Sequence, residues 1–320
     1  MHALNYTLIN FDSYIGYAQN YYLYKDKTGQ FNTLLWDLNM SFGSFSLTDS
    51  SSIYFSGFDI TQAQNMDPFL HHTQISVSPR PLLRNLFLIE RNRKMYLAHI
   101  RTIVNENFSN QNYALRGQYL QNLIDVSVQN DTNKFYSYTD FTTNLNNQVA
   151  LVTADCPGIT QLMDARTTYL SGYTGFSGEP IITNIVTSSQ NFVVGDDVWI
   201  TANITDAIDA ILGYRFGANM AFKTTTMFDD GNHNDGTAND GVFGGVISNS
   251  ANKVDYYLYA DNDSAGVFSP VRAAYEFYNI QSQLNVGVVV INEIMSNNIS
   301  TTSDASGKFE DWIELYNTTS

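Results

Sequence analysis

The chain has 320 residues, 43% hydrophobic and 14% aromatic, so it can bury a substantial core and is not intrinsically disordered. Its net charge of −15 at pH 7 argues against nucleic acid and anionic membrane surfaces as partners. No apolar run approaches the length of a membrane span, and the chain length predicts two or three domains.

The first part of the chain has a mixed α and β pattern. Two β-prone runs at residues 21–24 and 31–36 flank a turn at residues 25–29 and predict a hairpin. Apolar residues recur at helical spacing over residues 81–108, which predicts two helices with a break near residues 90–93. Further helices are predicted at residues 112–128 and 158–169.

The pattern changes near Ser177-Gly178-Glu179-Pro180. Seven short β-prone runs follow, at residues 181–187, 198–203, 212–216, 221–227, 241–247, 254–260 and 273–280. Their spacing and their Gly, Asp and Asn turns predict an immunoglobulin- or fibronectin-like sandwich. Residues 179–320 carry a net charge of −13, against −2 for residues 1–178, which favours solubility outside the cell or divalent-cation binding over a basic-patch function.

Three polar residues border the predicted hairpin. Asp12 and Asn20 precede it and Asp37 follows it directly. Phosphoryl-transfer sites use one Asp to orient the attacking hydroxyl, and an Asn and a second Asp to hold magnesium against the phosphates. The spacing alone also fits polar residues that cap the turns at strand ends.

The sequence motifs of this region resemble those of the CotH kinase family, the atypical protein kinases named after a spore-coat protein. The similar motifs are Asn10-Phe11-Asp12, Asn20-Tyr21-Tyr22-Leu23-Tyr24, and Trp36-Asp37-Leu38-Asn39 followed by Phe42-Gly43. The resemblance continues through Pro81-Leu82-Leu83-Arg84, residues 91–101 and Asp140-Phe141 to the helix at residues 158–170.

The resemblance implies an ATP-dependent transfer of phosphate to Ser or Thr hydroxyls of a protein. Asp12 is then the catalytic carboxylate, and Asn20 and Asp37 are the magnesium ligands. A pseudokinase scaffold, with the β-sandwich modules serving adhesion or display, is the competing interpretation. Carbohydrate binding by the sandwich is a third, which depends on fold type and aromatic content alone.

Two features depart from the family pattern. Gln19 stands where relatives often have His before the Asn. No glycine-rich loop or strand-borne lysine precedes Asp12, since the chain begins eleven residues before it. We therefore expect the carboxyl half of a kinase-like domain, with Met1 an internal methionine or a chosen starting point. Such a fragment can keep the metal-site residues and yet be unable to bind ATP productively.

Other charged residues allow two interpretations each. Arginines at positions 80, 84, 91, 93 and 101 either line a phosphate-binding face or are solvated or salt-bridged surface residues. His71 and His72 follow Met66-Asp67-Pro68 and are expected to be polar residues of a loop and not metal ligands.

An acidic loop at residues 228–241 is the most unusual feature of the predicted sandwich. Its oxygen-bearing side chains suit calcium, and its glycines allow the chain to wrap an ion. The alternative is a long hairpin connection built from Asp-Gly and Asn-Asp turns without any metal. The candidate calcium ligands are Asp229, Asp230, Asn232, Asn234, Asp235, Asn239 and Asp240.

The last segment, residues 286–317, resembles the opening of a lamin-tail domain, a sandwich found on bacterial surface and secreted proteins. Its residues include Ile291-Asn292-Glu293-Ile294 and Glu310-Asp311-Trp312-Ile313-Glu314. We expect only the start of that domain here, and its carboxylates are interpreted as charges at a strand edge.

The predicted fold class is therefore multidomain, α+β and then all-β. The predicted domains are a kinase-like carboxyl lobe at residues 1–178, a β-sandwich at residues 179–283, and a truncated second sandwich at residues 286–320. A secreted or cell-surface bacterial protein is expected. The lone Cys156 cannot form an internal disulfide, which fits either a cytosolic protein or an exported bacterial protein without disulfides.

Overall fold

The computed structural model describes residues 1–74, 77–151, 155–189, 192–248, 250–282 and 289–318. An α+β part precedes an all-β part of several sheets, as the sequence predicts. The helices are α1 (His2–Thr7), α2 (Ile60–Gln64), α3 (Leu70–Thr73), α4 (Pro81–Phe87), α5 (Glu90–Ile103), α6 (Asn112–Asn130), α7 (Tyr138–Thr143) and α8 (Ile159–Ser171). The first strands are β1 (Tyr21–Lys25), β2 (Phe31–Leu35), β3 (Val149–Ala150) and β4 (Asp155–Cys156), and short 3₁₀ and π-helical turns occupy Leu38–Met40 and Val104–Phe108.

The break between α4 and α5 lies at Leu88 and Ile89, slightly before the predicted position. Side chains from the first turn of α5 satisfy the last carbonyls of α4. Asn92 donates to the Leu86 carbonyl at 2.9 Å, and Arg93 donates to the Phe87 carbonyl. The polar residues that suggested the break therefore cap α4 from within the next helix.

The expectation that His71 and His72 lie in a loop is wrong, because they belong to the four-residue helix α3. Asp67 starts this turn by accepting a hydrogen bond from the backbone N–H of Phe69 at 2.8 Å. His71 is buried among aromatic residues, so tertiary packing decides its environment.

The core of the α+β part lies between α1, the segment that follows α1, α5 and α8. It is apolar and aromatic, and one cation is buried within it. Arg166 of α8 is fully buried and donates to the backbone carbonyls of Tyr6, at 3.0 Å, and Met66. These bonds join α8 to α1 and to the turn before α3. Other buried residues of this core include Phe11, Leu83, Ile100 and Leu162.

The all-β part contains an antiparallel sandwich. Its strands are β5 (Ile181–Thr187), β6 (Val198–Thr205), β7 (Asp209–Arg215), β8 (Lys223–Met227), β9 (Val242–Ile247), β10 (Lys253–Asp261), β11 (Gly266–Ser269) and β12 (Tyr278–Gln281). One sheet has the order β11-β10-β7-β8 with β12 also paired to β10, and the other has the order β5-β6-β9. Alternate residues of β6 face inward, namely Val198, Ile200, Ala202 and Ile204, and pack in one core with residues of β7 and β10.

The predicted strands at residues 181–260 correspond to β5–β10, with ends that differ by three residues or fewer. The prediction at residues 273–280 is wrong over its first half, because the chain turns there: Ala273 N–H donates to Pro270 and Glu276 N–H to Arg272, both at 3.0 Å. The short strand β11 was not predicted, since four residues that begin with Gly give little periodic signal.

Helix α5 and strand β11 hold the two parts together. The His99 ring stacks on Phe268 with centroids 5.0 Å apart. Arg101 is buried and donates to the carbonyls of Phe176, at 2.9 Å, and Gly266, and lies 3.2 Å from the Glu179 carboxylate. The sandwich therefore packs directly against a core helix of the α+β part.

The last described segment is an exposed hairpin of β13 (Val289–Met295) and β14 (Trp312–Asn317). Its register shifts between Ile291 and Glu293, and apolar side chains of both strands face solvent. Residues 286–288 of the predicted segment lie outside the described residues. Within the described ranges, no helix combines the length and apolar character needed to cross a membrane.

Candidate functional site

Asp12 lies on a tight buried turn between α1 and β1, residues 9–16, which we call the Asp12 turn. Asn10 is fully buried and donates to the Asn5 side chain at 3.2 Å, and Ser13 Oγ donates to the Asn10 carbonyl at 2.6 Å. Gly16 closes the turn, since a Cβ at this position would lie 1.8 Å from a backbone carbonyl oxygen of the same turn. Asp12 is 9% exposed and is held by the turn and not by a flexible loop.

Gln19 and Asn20, the two residues before β1, both form hydrogen bonds with Asp12. The Gln19 amide donates to Asp12 Oδ1. Asn20 Nδ2 donates to the Asp12 backbone carbonyl at 3.0 Å. The amide nitrogen makes this bond, and Asn20 Oδ1 forms no hydrogen bond with a described residue.

The hairpin register brings Asn20 and Asp37 to the same end of β1 and β2. The strands pair from Tyr21 opposite Leu35 to Lys25 opposite Phe31, which confirms the predicted hairpin. Asn20 directly precedes the first pair and Asp37 follows it by two residues, so both lie at the open end. Both have left-handed backbone angles, with φ of 53° and 54°, a conformation that Asn and Asp adopt more readily than most residues.

The segment after Asp37 returns to the Asp12 turn. Phe42 N–H donates to the Leu8 carbonyl at 2.8 Å, and Gly43 N–H donates to Ile9 at 3.1 Å. Leu8 and Ile9 lie at the entrance of the Asp12 turn. The Asp37 side chain is exposed and forms no hydrogen bond or ion pair with a described residue, so its carboxylate is available to a ligand.

The available oxygens of Asn20 and Asp37 fit magnesium. This ion takes few protein ligands, mainly carboxylate or amide oxygens, and completes its shell with water and phosphate oxygens. Over the described ranges, no group of three or more His, Cys, Asp or Glu side chains is placed to hold a metal ion.

A buried polar chain behind the Asp12 turn was not predicted. The Tyr6 hydroxyl bonds to His71 Nδ1, and His71 Nε2 lies 3.2 Å from Ser51 Oγ. Burial lowers the pKa of His71 to about 4, and the nearby Arg80 charge acts in the same direction, so this imidazole is neutral at pH 7. Nothing in the local sequence distinguishes this His from an exposed one.

The arginines considered for a phosphate-binding face bind different segments of the chain. Arg80, Arg93 and Arg101 donate to backbone carbonyls, and Arg91 lies 3.2 Å from the Asp209 carboxylate in the sandwich. The phosphate-face interpretation is therefore not supported. A solvated surface role is also wrong for Arg80 and Arg101, which are buried.

The acidic loop uses its carboxylates to organise its own backbone. Asp235 is fully buried and accepts the N–H groups of Asp230, Gly231 and His233. Burial alone would raise the pKa of Asp235, but these donors lower it below its ordinary value. Asp229 and Asp240 likewise accept backbone N–H groups, as do turn-forming Asp residues without a metal, and calcium at this loop stays a prediction.

The structure thus defines an α+β unit in which a buried turn and a hairpin bring an Asp and an Asn into contact, with a second Asp at the same hairpin end. Residues 1–170, more than half of the chain, match the family model described as CotH kinase protein. The chain belongs to the CotH kinase protein family.

The other comparisons concern the second part of the chain. Residues 218–253 match the model described as conditioned medium factor 2nd Ig-like domain, in agreement with the immunoglobulin-like prediction. Among solved structures, the crystal structure of a Br derivative of BhCBM56 is similar over 34% of this chain and 99% of that chain, with 13% identity and a TM-score of 0.22. A search of curated proteins finds no match. Neither family match includes Val289–Met295 or Trp312–Asn317, so the lamin-tail resemblance stays a prediction.

Proposed function

We propose that this chain carries the catalytic carboxylate and metal-binding side chains of a CotH-type protein kinase, which transfers the γ-phosphoryl group of ATP to a Ser or Thr hydroxyl of a protein. The observation that supports this most is the junction of Asp12, Asn20 and Asp37. Asn20 is bonded to Asp12, and the hairpin register brings Asp37 to the strand end where Asn20 lies.

Each of these residues has a separate chemical role in the proposal. Asp12 accepts or orients the proton of the attacking hydroxyl, and Gln19 fixes one oxygen of its carboxylate. Asn20 Oδ1 and the Asp37 carboxylate are the groups that would hold magnesium. Magnesium, when bound, neutralises charge that develops on the transferred phosphoryl group.

The roles of the two carboxylates are tested by Asp12→Asn and Asp37→Asn in the natural polypeptide that carries this chain. Labelled phosphate transfer from ATP to protein should fall by about 100-fold or more in both variants, since each removes a charged group from the reacting centre. Asp26→Asn is the matched control, because it removes one charge from the turn of the same hairpin and preserves an oxygen that can accept the Thr28 N–H. Transfer by Asp37→Asn at nearly the wild-type rate would contradict the metal-ligand role.

Magnesium and nucleotide binding can be measured without activity. Magnesium with ATP should raise the melting temperature of the wild-type protein and leave that of Asp37→Asn unchanged, because ligand that binds only the folded state stabilises it. No shift at millimolar ligand in the wild type favours the pseudokinase scaffold, in which the sandwich serves adhesion or display.

The location and the remaining ligands are part of the same proposal. We propose a secreted or cell-surface bacterial protein, supported by the CotH family and the immunoglobulin-like module. Fractionation of native cells tests this location. Calcium in the acidic loop is tested by titration of the protein with calcium alone, with Asp229→Asn as the variant that should lose affinity.

A further inference from the structure

We propose that Arg80, oriented by Asp49, is a positioning residue that fixes the Asp12 turn and thereby aims the Asp12 carboxylate. This inference rests on the proposed function for its catalytic consequence. Its structural part, that Arg80 holds this turn, stands on the contacts alone.

The Arg80 guanidinium binds the backbone of the Asp12 turn at two points. Its Nε donates to the Tyr14 carbonyl at 2.7 Å, and one terminal nitrogen donates to the Gly16 carbonyl. Arg80 is 3% exposed, so these bonds are made out of contact with bulk water, where an unpaired carbonyl is costly. The planar fork of an arginine can bridge two carbonyls, and a lysine cannot do so with the same geometry.

The two carbonyls belong to residues two and four positions after Asp12. The turn is otherwise closed by short-range bonds such as Gly16 N–H to the Ser13 carbonyl at 3.2 Å. Those bonds fix the shape of the turn, while the buried side chains of Phe11 and Ile15 seat it in the core. Arg80 adds a hydrogen-bonded link to the backbone of the turn from a residue 64 positions further along the chain than Gly16.

Asp49 forms an ion pair with the same guanidinium group and orients it. Its Oδ2 lies 2.8 Å from the terminal nitrogen that also serves Gly16, and Asp49 Oδ1 accepts the Ser51 N–H at 2.8 Å. The Asp49 side chain is 27% exposed, compared with 4% for Arg80. The pair therefore bridges the segment at residues 49–51 and the Asp12 turn with a charge-assisted contact.

Helix α4 gives this contact a rigid base. Arg80 is the residue that precedes Pro81, the first residue of α4. The Leu82 N–H donates to the Tyr14 hydroxyl at 3.0 Å, so the start of α4 contacts the same turn a second time. The Asp12 turn is thus seated on the beginning of a core helix.

The test combines kinetics with hydrogen exchange in Arg80→Lys. We expect kcat for phosphate transfer to fall by about 10- to 100-fold with KM for ATP within about 3-fold, because the variant keeps the charge but misplaces Asp12. Backbone amides of the Asp12 turn should exchange at least about 10-fold faster. Arg101→Lys is the matched control: it also alters a buried arginine that binds carbonyls, but it contacts other segments and should change neither kcat nor the exchange of this turn.

Asp49→Asn keeps the side-chain shape and should lower kcat and speed the amide exchange of the Asp12 turn by smaller factors than Arg80→Lys. If Arg80→Lys folds poorly, Asp49→Asn tests the positioning role in its place. A loss of kcat without faster exchange of the turn, or faster exchange without a loss of kcat, would overturn the positioning role. If the wild type transfers no phosphate, the proposed function fails. Unchanged exchange in both variants would then refute the structural part, and faster exchange would support it.

Discussion

Arg101 links the α+β part to the sandwich, and Arg101→Met should both destabilise the protein and uncouple the two parts. The variant removes the hydrogen bonds to the Phe176 and Gly266 carbonyls and the contact with Glu179. Methionine preserves much of the apolar stem, so the loss reports mainly on the guanidinium.

The expected magnitude follows from the partners that are left behind. A hydrogen bond to a charged group contributes about 1.5–3 kcal/mol, and removal of one member of a buried ion pair costs about 3–5 kcal/mol. The Glu179 side chain is 31% exposed and is partly solvated after the change, so the lower end of this range applies. We expect a loss of about 3 kcal/mol in the free energy of unfolding.

Urea unfolding with fluorescence detection measures this loss. Trp36 lies in the α+β part and Trp199 in the sandwich, so variants that keep only one of these two, with Trp312 of β14 also replaced, report on each part separately. The wild type should show coincident transitions, and Arg101→Met should separate them. Arg84→Met on α4 is the control, since Arg84 is exposed. A loss below about 0.5 kcal/mol, or one equal to that of Arg84→Met, would refute the reasoning.

Three further changes test other parts of the structure. Unfolding lets His71 take up a proton below its ordinary pKa of 6.5, whereas the folded-state pKa is about 4, so stability should fall by up to about 3 kcal/mol as pH decreases from 6.5 to 4. Urea midpoints across that range should depend less on pH in His71→Gln, and an unchanged slope would contradict this. Gly16→Ala should lose about 2 kcal/mol or more in thermal unfolding because its Cβ meets a backbone carbonyl, whereas Gly217→Ala, with open space, should be nearly neutral. Asp235→Ala should destabilise the sandwich by about 2 kcal/mol because buried N–H groups lose their acceptor, and equal melting temperatures of this variant and exposed Asp263→Ala would contradict it.

The features that sequence predicted well are those encoded by local patterns. The hairpin follows from two β-prone runs around a polar turn, and the sandwich strand β5 follows from a run with turn residues at both ends. Such features depend on a few neighbouring residues, so one sequence contains enough information for them.

The contacts that hold the Asp12 turn depend on residues far apart in the chain. Arg80 resembled a surface arginine because nearby residues such as Ser78 and Pro81 do not form part of an apolar repeat before it. It is nevertheless buried by tertiary contacts. His71 looked like a polar loop residue, but it lies in a helix and bonds to Tyr6, 65 positions earlier. Neither residue has a local signal, since burial of a polar side chain depends on partners that only the fold supplies.

The difference between local and long-range contacts has a physical consequence for the candidate site. Asp12 is carried by a turn that is bonded to the core through Arg80, so its position should be as stable as that core. Asp37 follows a hairpin whose strands are largely exposed on both faces, and the backbone bonds of Phe42 and Gly43 anchor the chain beyond it. Amides of the Asp12 turn should therefore exchange with the slowest amides of the α+β part, and those of the hairpin much faster. The Asp12 carboxylate, which we propose to be catalytic, is preorganised by the fold, whereas the position of Asp37 depends on fewer contacts and should respond more to a bound metal and phosphate.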